Sequence, residues 1–260
     1  MKVVLFCGGL GMRLRDYSEE IPKPMVHIGY RPILWHVMKY YAHFGHTDFI
    51  LCLGYKADYI KNYFLNYSEA VSNDFTLSES GQSIKLLQSD ISNWNITFVD
   101  TGYSSNIGER LVAVKEYLGK DEMFLANYSD NLTEFCLPNL IDSFNKSNSV
   151  AGILCVKPKS YYHFIRFGKK RSITEFYDIV GSDLLINGGY FIFSKEIFNY
   201  IKKGEELVLE PFSRLIEEDK LMGHKYNGFW QSMDTFKDKQ LLDNLFERGE
   251  APWELWRKPN

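Results

Sequence analysis

Three groups of residues in this sequence have types and spacing that suit chemistry on phosphates. The first is Gly8, Gly9, Leu10, Gly11, Met12 and Arg13, a glycine-rich turn directly after the apolar run KVVLFC. Backbone N–H groups in such a turn can point at an anion, and the missing side chains let it approach closely. The segment lacks the Gly-Lys-Ser/Thr ending of a mononucleotide P-loop, and Leu14 stands where a dinucleotide fingerprint would place its third glycine. The second group is Pro22-Lys23-Pro24, where flanking prolines restrict the backbone around one ammonium, while Arg13 adds a guanidinium able to fork onto phosphate oxygens. Two cations beside an anion-ready turn suggest a triphosphate. The third group is a pair of remote carboxylates, Asp130 in NYSDN and Asp234 in QSMDT. Each alone reads as a solvated turn residue. Together they would suffice for magnesium, which takes few carboxylates and completes its shell with substrate phosphates.

The elements that must carry these residues follow from hydrophobic patterning. KVVLFC, DFILCLGY, NITFVDTG and MFLANYSDN read as strands. Between them, Pro32 to Phe44 places Ile33, Val37, Tyr40, Tyr41 and Phe44 on one helical face, and further helices are expected over Ala57–Tyr67 and Arg110–Leu118. Alternation of this kind implies a Rossmann-like α/β fold, a mainly parallel sheet with helices on both faces, with ligands beyond the carboxyl ends of its strands. From Ser149 the pattern shifts to AGILCVK and then to YYHFIRF and RSITEFYD around Gly168, Lys169 and Lys170, an antiparallel hairpin in a small acceptor-side lobe. A strand NGGYFIF, a helix from Leu209 and an amphipathic helix from Phe236 to Phe246 complete the pattern. The expectation is one domain over 1–260: a nucleotide-binding half at 1–135, an acceptor-binding half at 149–235, and a C-terminal helix and tail at 236–260.

Composition narrows the function classes. A chain with 45% hydrophobic and 24% charged residues is globular, and a formal net charge of -3 offers no global cationic field for nucleic acid. No apolar run reaches membrane-spanning length and the N-terminus lacks a signal h-region, so a cytoplasmic protein without a membrane partner is expected. Cys7, Cys52, Cys136 and Cys155 form no CxxC clip and are expected to be buried free thiols. No Ser-His-Asp or Cys-His constellation is evident, and His36 and His43 are assigned to a helix face or its edge.

GGLGMRL followed by PKPMVHIGYRPILWH resembles the start of the sugar-1-phosphate nucleotidyltransferases, above all their glucose-1-phosphate cytidylyltransferase branch. The resemblance continues through DFILCLGYKADYIKNYF, NITFVDTG, Asp130, INGGYF and GFWQSMDTFKDK to APWELW. It implies a GT-A-like nucleotidyltransferase fold and in-line attack of an acceptor phosphate on the α-phosphorus of CTP, with release of pyrophosphate. By the same resemblance, Arg13 and Lys23 contact the triphosphate, and Gly8, Gly9, Gly11 and Arg110 line the nucleotide. Glu175, Asn187 and Gly188 face the acceptor, and Asp130 and Asp234 hold Mg2+. On residue type alone, Arg110 also fits a surface charge at a helix N-terminus. Relatives assemble as homo-oligomers, and surface polysaccharide or nucleotide-sugar supply is the natural pathway.

Departures from the family pattern fall mostly on the acceptor side. Met12 stands for a Thr, Ser129-Asp130-Asn131 for Gly-Asp-Gly, and Glu175-Phe176-Tyr177 for Glu-Lys-Pro. Tyr161-Tyr162-His163 replaces an Arg-Phe-Gly, while Arg166-Phe167-Gly168 lies further on. Lys157, Lys159, Lys169 or Lys170 could replace the lost cation. Glucose 1-phosphate, another sugar phosphate, an amino-acid phosphate such as phosphoglutamine, or a phosphonate therefore remain open as acceptor. From a different class, so does a catalytically silent nucleotide sensor.

Overall fold

The computed structural model describes residues 1–9, 21–158, 163–178 and 184–257. Gly11 and Arg13, both assigned to the nucleotide, lie outside the described residues, as do Lys159, Tyr161 and Tyr162.

The first half of the chain alternates strands and helices as its patterning predicts. β1 (Val3–Phe6) is followed by a 3-10 turn at Lys23–Met25 and the short strands β2 (His27–Ile28) and β3 (Arg31–Pro32). Pro32 then caps α1 (Ile33–His43) with an extended backbone, since proline suits the start of a helix, where its missing N–H has no partner to lose. β4 (Asp48–Leu53), α2 (Ala57–Leu65), α3 (Glu69–Ser72), the hairpin β5 (Phe75–Ser78) and β6 (Ser83–Leu86), and β7 (Asn95–Asp100) come next. The helix expected over Arg110–Leu118 is instead α4 (Ile107–Ala113) followed by a 3-10 turn at Lys115–Leu118. The start moves earlier because Asn106 and Glu109 form a capping box there. β8 (Met123–Asn127), β9 (Asn131–Thr133) and α5 (Leu137–Asn145) complete this half.

In the second half, β10 (Ala151–Val156) precedes the antiparallel hairpin of β11 (His163–Phe167) and β12 (Ile173–Asp178). Then come β13 (Ile186–Ser194), α6 (Glu210–Glu217), β14 (Leu221–Tyr226), β15 (Trp230–Ser232) and α7 (Phe236–Glu247).

A 7-stranded sheet in the order β14-β10-β13-β8-β1-β4-β7 forms the centre. β8, β1, β4 and β7 are mutually parallel, and β10 and β14 pair parallel with each other, while β13 runs antiparallel to both β8 and β10. β1 is buried throughout, and its alternate side chains enter different cores, as the two-residue period of a strand requires. Val3 and Leu5 pack with Ile33, Val37, Tyr41 and Leu242 from α1 and α7. Val4 and Phe6 pack with Leu111, Phe212 and Leu215 from α4 and α6. Helices thus cover both faces. The carboxyl ends of β8, β1, β4 and β7 share one edge, and the chain reverses its direction of travel across the sheet at β1, where such folds bind ligands.

The cysteines correct one expectation. Cys7 and Cys52 are buried, but Cys155 is only half-buried and Cys136 is exposed. Cys136 occupies the cap position before α5, where the following Leu137, not the cap, turns into the core. Among the described residues no helix is long and apolar enough to cross a membrane.

Candidate active site

Each site segment hangs from a strand of fixed register. β1 and β8 pair with Leu5 opposite Asn127, so the Gly8-Gly9 turn and the Tyr128-Ser129-Asp130 segment leave the sheet side by side. β13 pairs with β8 at Tyr190 opposite Asn127, which brings Asn187, Gly188 and Gly189 to the same edge. A second ladder joins β9 to β15 with Ser232 opposite Asn131. It extends one bond further, from the Met233 N–H to the Asp130 carbonyl at 2.9 Å. Asp130 and Asp234, remote in sequence, therefore face one another by strand pairing.

Lys23 closes the arrangement. Its Nζ donates to Asp130 Oδ2 at 2.6 Å and to Asp234 Oδ1 at 2.8 Å, and the three side chains are 14%, 20% and 38% exposed. Two carboxylates around one ammonium carry a net charge of about −1, and the protonation equilibria reflect that excess. Burial pushes the Asp130 carboxyl up against the pull of Lys23, with Asp234 adding to the rise. Burial alone would lower the Lys23 ammonium, but the two carboxylates outweigh it and hold it above its ordinary value.

The carboxylate loops are braced from behind. Ser129 adopts a left-handed φ of 64°, costly for a residue with a Cβ. Its N–H donates to Asn127 Oδ1 at 2.7 Å, and its hydroxyl lies 2.7 Å from the Phe6 carbonyl it donates to. Ser129 thus takes a turn conformation that favours glycine and adds a tie to β1. On the other side, the buried Asp238 accepts from Asp234 N–H at 3.2 Å, Thr235 N–H at 2.8 Å and Gln231 Nε2 at 2.9 Å. Asp238 escaped the sequence reading. The Thr235-x-x-Asp238 spacing, a capping-box signature, is the signal that could have found it.

Arg110 is 3% exposed, which excludes the surface-charge alternative. Its guanidinium donates to the Leu53 carbonyl at 3.0 Å, Thr101 Oγ1 at 2.7 Å and the Gly8 carbonyl at 3.0 Å. A Cβ at Gly8 would overlap this guanidinium, so glycine is required there for close approach, whereas Gly9 is exposed with open space around it. Arg110 therefore ties the ends of β1, β4 and β7 together beneath the turn.

At the start of β13, Asn187 Nδ2 donates to the Tyr128 hydroxyl at 3.1 Å, and Asn187 Oδ1 accepts from Gly189 N–H at 2.9 Å. Gly188 accepts at its carbonyl from Trp230 Nε1 at 2.8 Å. Gly189 has φ +75°, and a Cβ there would overlap the Asn131 amide. The Nδ2 of Asn131 is buried without a hydrogen-bond partner beside Asp130. Glu175 is exposed on β12 and pairs at 2.7 Å with Arg166, its cross-strand neighbour. These contacts unite Asn187 and Gly188 with the Asp130 segment, and tie Glu175 to its own hairpin.

Among the described residues no group of three or more His, Cys, Asp or Glu side chains is placed to hold a metal. The donor set at Asp130 and Asp234 nevertheless fits magnesium. Two hard oxygens already converge on one cation, here the Lys23 ammonium, and magnesium commonly takes one or two carboxylates and fills the rest of its shell with water and phosphate oxygens.

Residues 2–242 match the Nucleotidyl transferase family, and the chain belongs to it. It is 39% identical over 259 residues to the glucose-1-phosphate cytidylyltransferase of Salmonella typhimurium, covering 98% of this chain and 100% of that protein. The same enzyme of Salmonella typhi is also 39% identical over 259 residues, with the same coverage. Among solved structures, a UDP-glucose pyrophosphorylase complexed with UDP-glucose aligns with a TM-score of 0.69 at 15% identity, over 95% of this chain and 98% of that one. At that identity the match concerns the fold alone.

Proposed function

We propose that this protein transfers a cytidylyl group from CTP to a sugar 1-phosphate, with glucose 1-phosphate the first candidate, and releases pyrophosphate. The observation that carries this reading is the convergence of Lys23, Asp130 and Asp234 at the carboxyl edge of a nucleotidyltransferase sheet. The full-length similarity to glucose-1-phosphate cytidylyltransferases supports the choice of base and acceptor.

In this reading the Gly8, Gly9 and Gly11 turn receives the nucleotide, braced by Arg110 through the Gly8 carbonyl. Arg13 and Lys23 neutralise the triphosphate, and Asp130 and Asp234 hold Mg2+. When bound there, magnesium supplies charge neutralisation and orientation of phosphate oxygens. Asn187, Gly188 and Glu175 face the acceptor. Its phosphate monoester, with a second pKa near ~6, is already a dianion at neutral pH. The chain therefore needs to align the attacking oxygen with the leaving pyrophosphate, and needs no general base.

The division into a nucleotide half at 1–135, an acceptor half at 149–235 and a tail at 236–260 belongs to this proposal. So do a cytoplasmic setting, a role in polysaccharide precursor supply and a homo-oligomeric state. The last draws support from Leu77, Ile84 and Leu86, exposed apolar side chains on the β5–β6 hairpin.

A second reading, transfer to a different phosphorylated acceptor, is favoured by Phe176, an aromatic ring exposed on β12 in the Glu175-Phe176-Tyr177 segment that departs from the resembled pattern. A pyrophosphate-release assay crossing CTP, UTP and dTTP with sugar phosphates, amino-acid phosphates and phosphonates tests both, with Asp130→Ala as blank. Turnover with CTP and glucose 1-phosphate is expected. Turnover only with another acceptor would transfer the assignment to that compound, and nucleotide binding without turnover on any pair would sink the enzyme reading in favour of a sensor.

A further inference from the structure

Of the three groups at the site, the two carboxylates are fixed and the ammonium is not. Asp130 follows Ser129, which is pinned to Asn127 and Phe6, and its own carbonyl accepts from Met233. Asp234 is held through its N–H by Asp238, which also fixes Thr235 and Gln231. Both side chains are short. Lys23 has an equally fixed backbone, in a 3-10 turn between Pro22 and Pro24 with bonds from Met25 N–H to the Pro22 carbonyl and from Val26 N–H to the Lys23 carbonyl. Its four-carbon stem, however, lets the ammonium redirect without moving that backbone.

The ammonium also engages the oxygens a metal needs. Nζ lies 2.6 and 2.8 Å from one oxygen of each carboxylate. An ion taking the same two oxygens at about 2.1 Å, the distance magnesium requires, competes with Nζ for their lone pairs and repels its charge. The two cations are therefore alternatives at this pair. A metal that takes these two oxygens displaces Lys23 from them, and the displaced ammonium is best accommodated where another anion receives it. The triphosphate is that anion.

We propose that Lys23 is an internal counter-ion that couples metal binding to nucleotide binding: it holds the carboxylate pair closed to metal until a nucleoside triphosphate draws it away. This rests on the reading of Asp130 and Asp234 as metal ligands. The coupling is reciprocal by linkage, so metal also promotes nucleotide binding by freeing Lys23 to meet the phosphates. The state without nucleotide is thereby protected from capturing divalent ions, and two fixed negative charges never face one another uncompensated.

The test is Mn2+ binding to the full chain, followed by electron paramagnetic resonance without nucleotide. Wild type, Lys23→Met, Lys23→Gln and Asp234→Asn are compared, the last alone and combined with Lys23→Met, with circular dichroism verifying each fold. Removing a cation from the site is expected to tighten Mn2+ by about tenfold in both lysine variants. Adding Asp234→Asn to Lys23→Met should reverse that gain. Unchanged or weaker Mn2+ binding in both lysine variants, with Asp234→Asn still weakening it, overturns the coupling while leaving the metal assignment in place. If Asp234→Asn leaves Mn2+ binding unchanged in both backgrounds, the metal assignment itself fails and the coupling with it.

Discussion

Arg110 and Gly8 are locked together: the guanidinium donates to the Gly8 carbonyl at 3.0 Å and fills the space a Cβ on that glycine would need. Replacing Arg110 with Met leaves the Gly8 carbonyl without this donor, while the Leu53 carbonyl keeps the Thr101 N–H and hydroxyl. We expect a loss of about 3 kcal/mol in urea unfolding, the scale set by unsatisfied buried polar groups. Arg110→Lys should recover little of it, because an ammonium cannot fork across the same acceptors. Gly8→Ala should destabilise the protein and weaken CTP binding together. Unaltered stability in Arg110→Met would show that the brace carries no weight.

Asp238 sits behind Asp234, whose N–H it accepts from at 3.2 Å. Asp238→Ala removes the acceptor for the Asp234 and Thr235 N–H groups and half of the capping box. It should cost about 2 kcal/mol. A magnesium titration of activity should show a raised half-saturating concentration with a smaller change in kcat. Equal loss in both parameters, at every metal concentration, would mean that Asp238 does not act through Asp234.

The pH dependence of stability has a named origin in His36. Its Nε2 is 3.0 Å from the Ile28 carbonyl, which only accepts, and its Nδ1 is 3.3 Å from Trp253 Nε1, which only donates, so the folded ring is neutral. Burial pulls its pKa from 6.5 down to about 4. The unfolded chain takes up the proton first as pH falls. The stabilisation is therefore complete above pH 6.5 and is lost between 6.5 and about 4, to a total of about 3 kcal/mol. His46, also pulled down to about 4 by burial, adds to the same acid limb. His36→Gln can keep both hydrogen bonds without titrating, and the wild-type curve minus the variant's isolates the His36 share. A flat difference across this window would remove the assignment.

Thiol chemistry should separate the cysteines by depth. Burial raises the Cys7 thiol to about 12 and drives Cys52 well above its ordinary value, while Cys136 is exposed. A thiolate is the reactive species. With an aromatic disulfide reagent on the native protein, Cys136 should react first and Cys155 later, with Cys7 and Cys52 silent until denaturant is added. Mass spectrometry of the labelled peptides checks the order, and early labelling of Cys7 would contradict the packing around β1.

Sequence patterning reaches the interior elements and falters at the edges. VVLF, DFILCL and MFLAN are continuous apolar runs because β1, β4 and β8 are covered on both faces. LMGHKY carries no such pattern, because β14 is an edge strand with half-exposed side chains, and the β5–β6 hairpin hides in a polar stretch because its residues are largely exposed. At the candidate site, Lys23, Asp130 and Asp234 stand out in the sequence by type and by resemblance, but their direct contact does not, since it depends on the β9–β15 ladder between remote segments. Arg110 reads as a surface charge from its type and place in a helix. Only tertiary packing puts it under the glycine turn.

The β9–β15 pairing also sets when in the life of the molecule the site can exist. Lys23 and Asp234 are 211 positions apart, and the strand that delivers Asp234 is among the last elements the ribosome makes. A nascent chain whose first half has folded would carry Asp130 and Lys23 as a simple pair, with no second carboxylate to complete the donor set. The three-residue cluster is therefore complete only when β15 is paired with β9, and any intermediate that lacks this ladder lacks Asp234 beside Lys23 and Asp130.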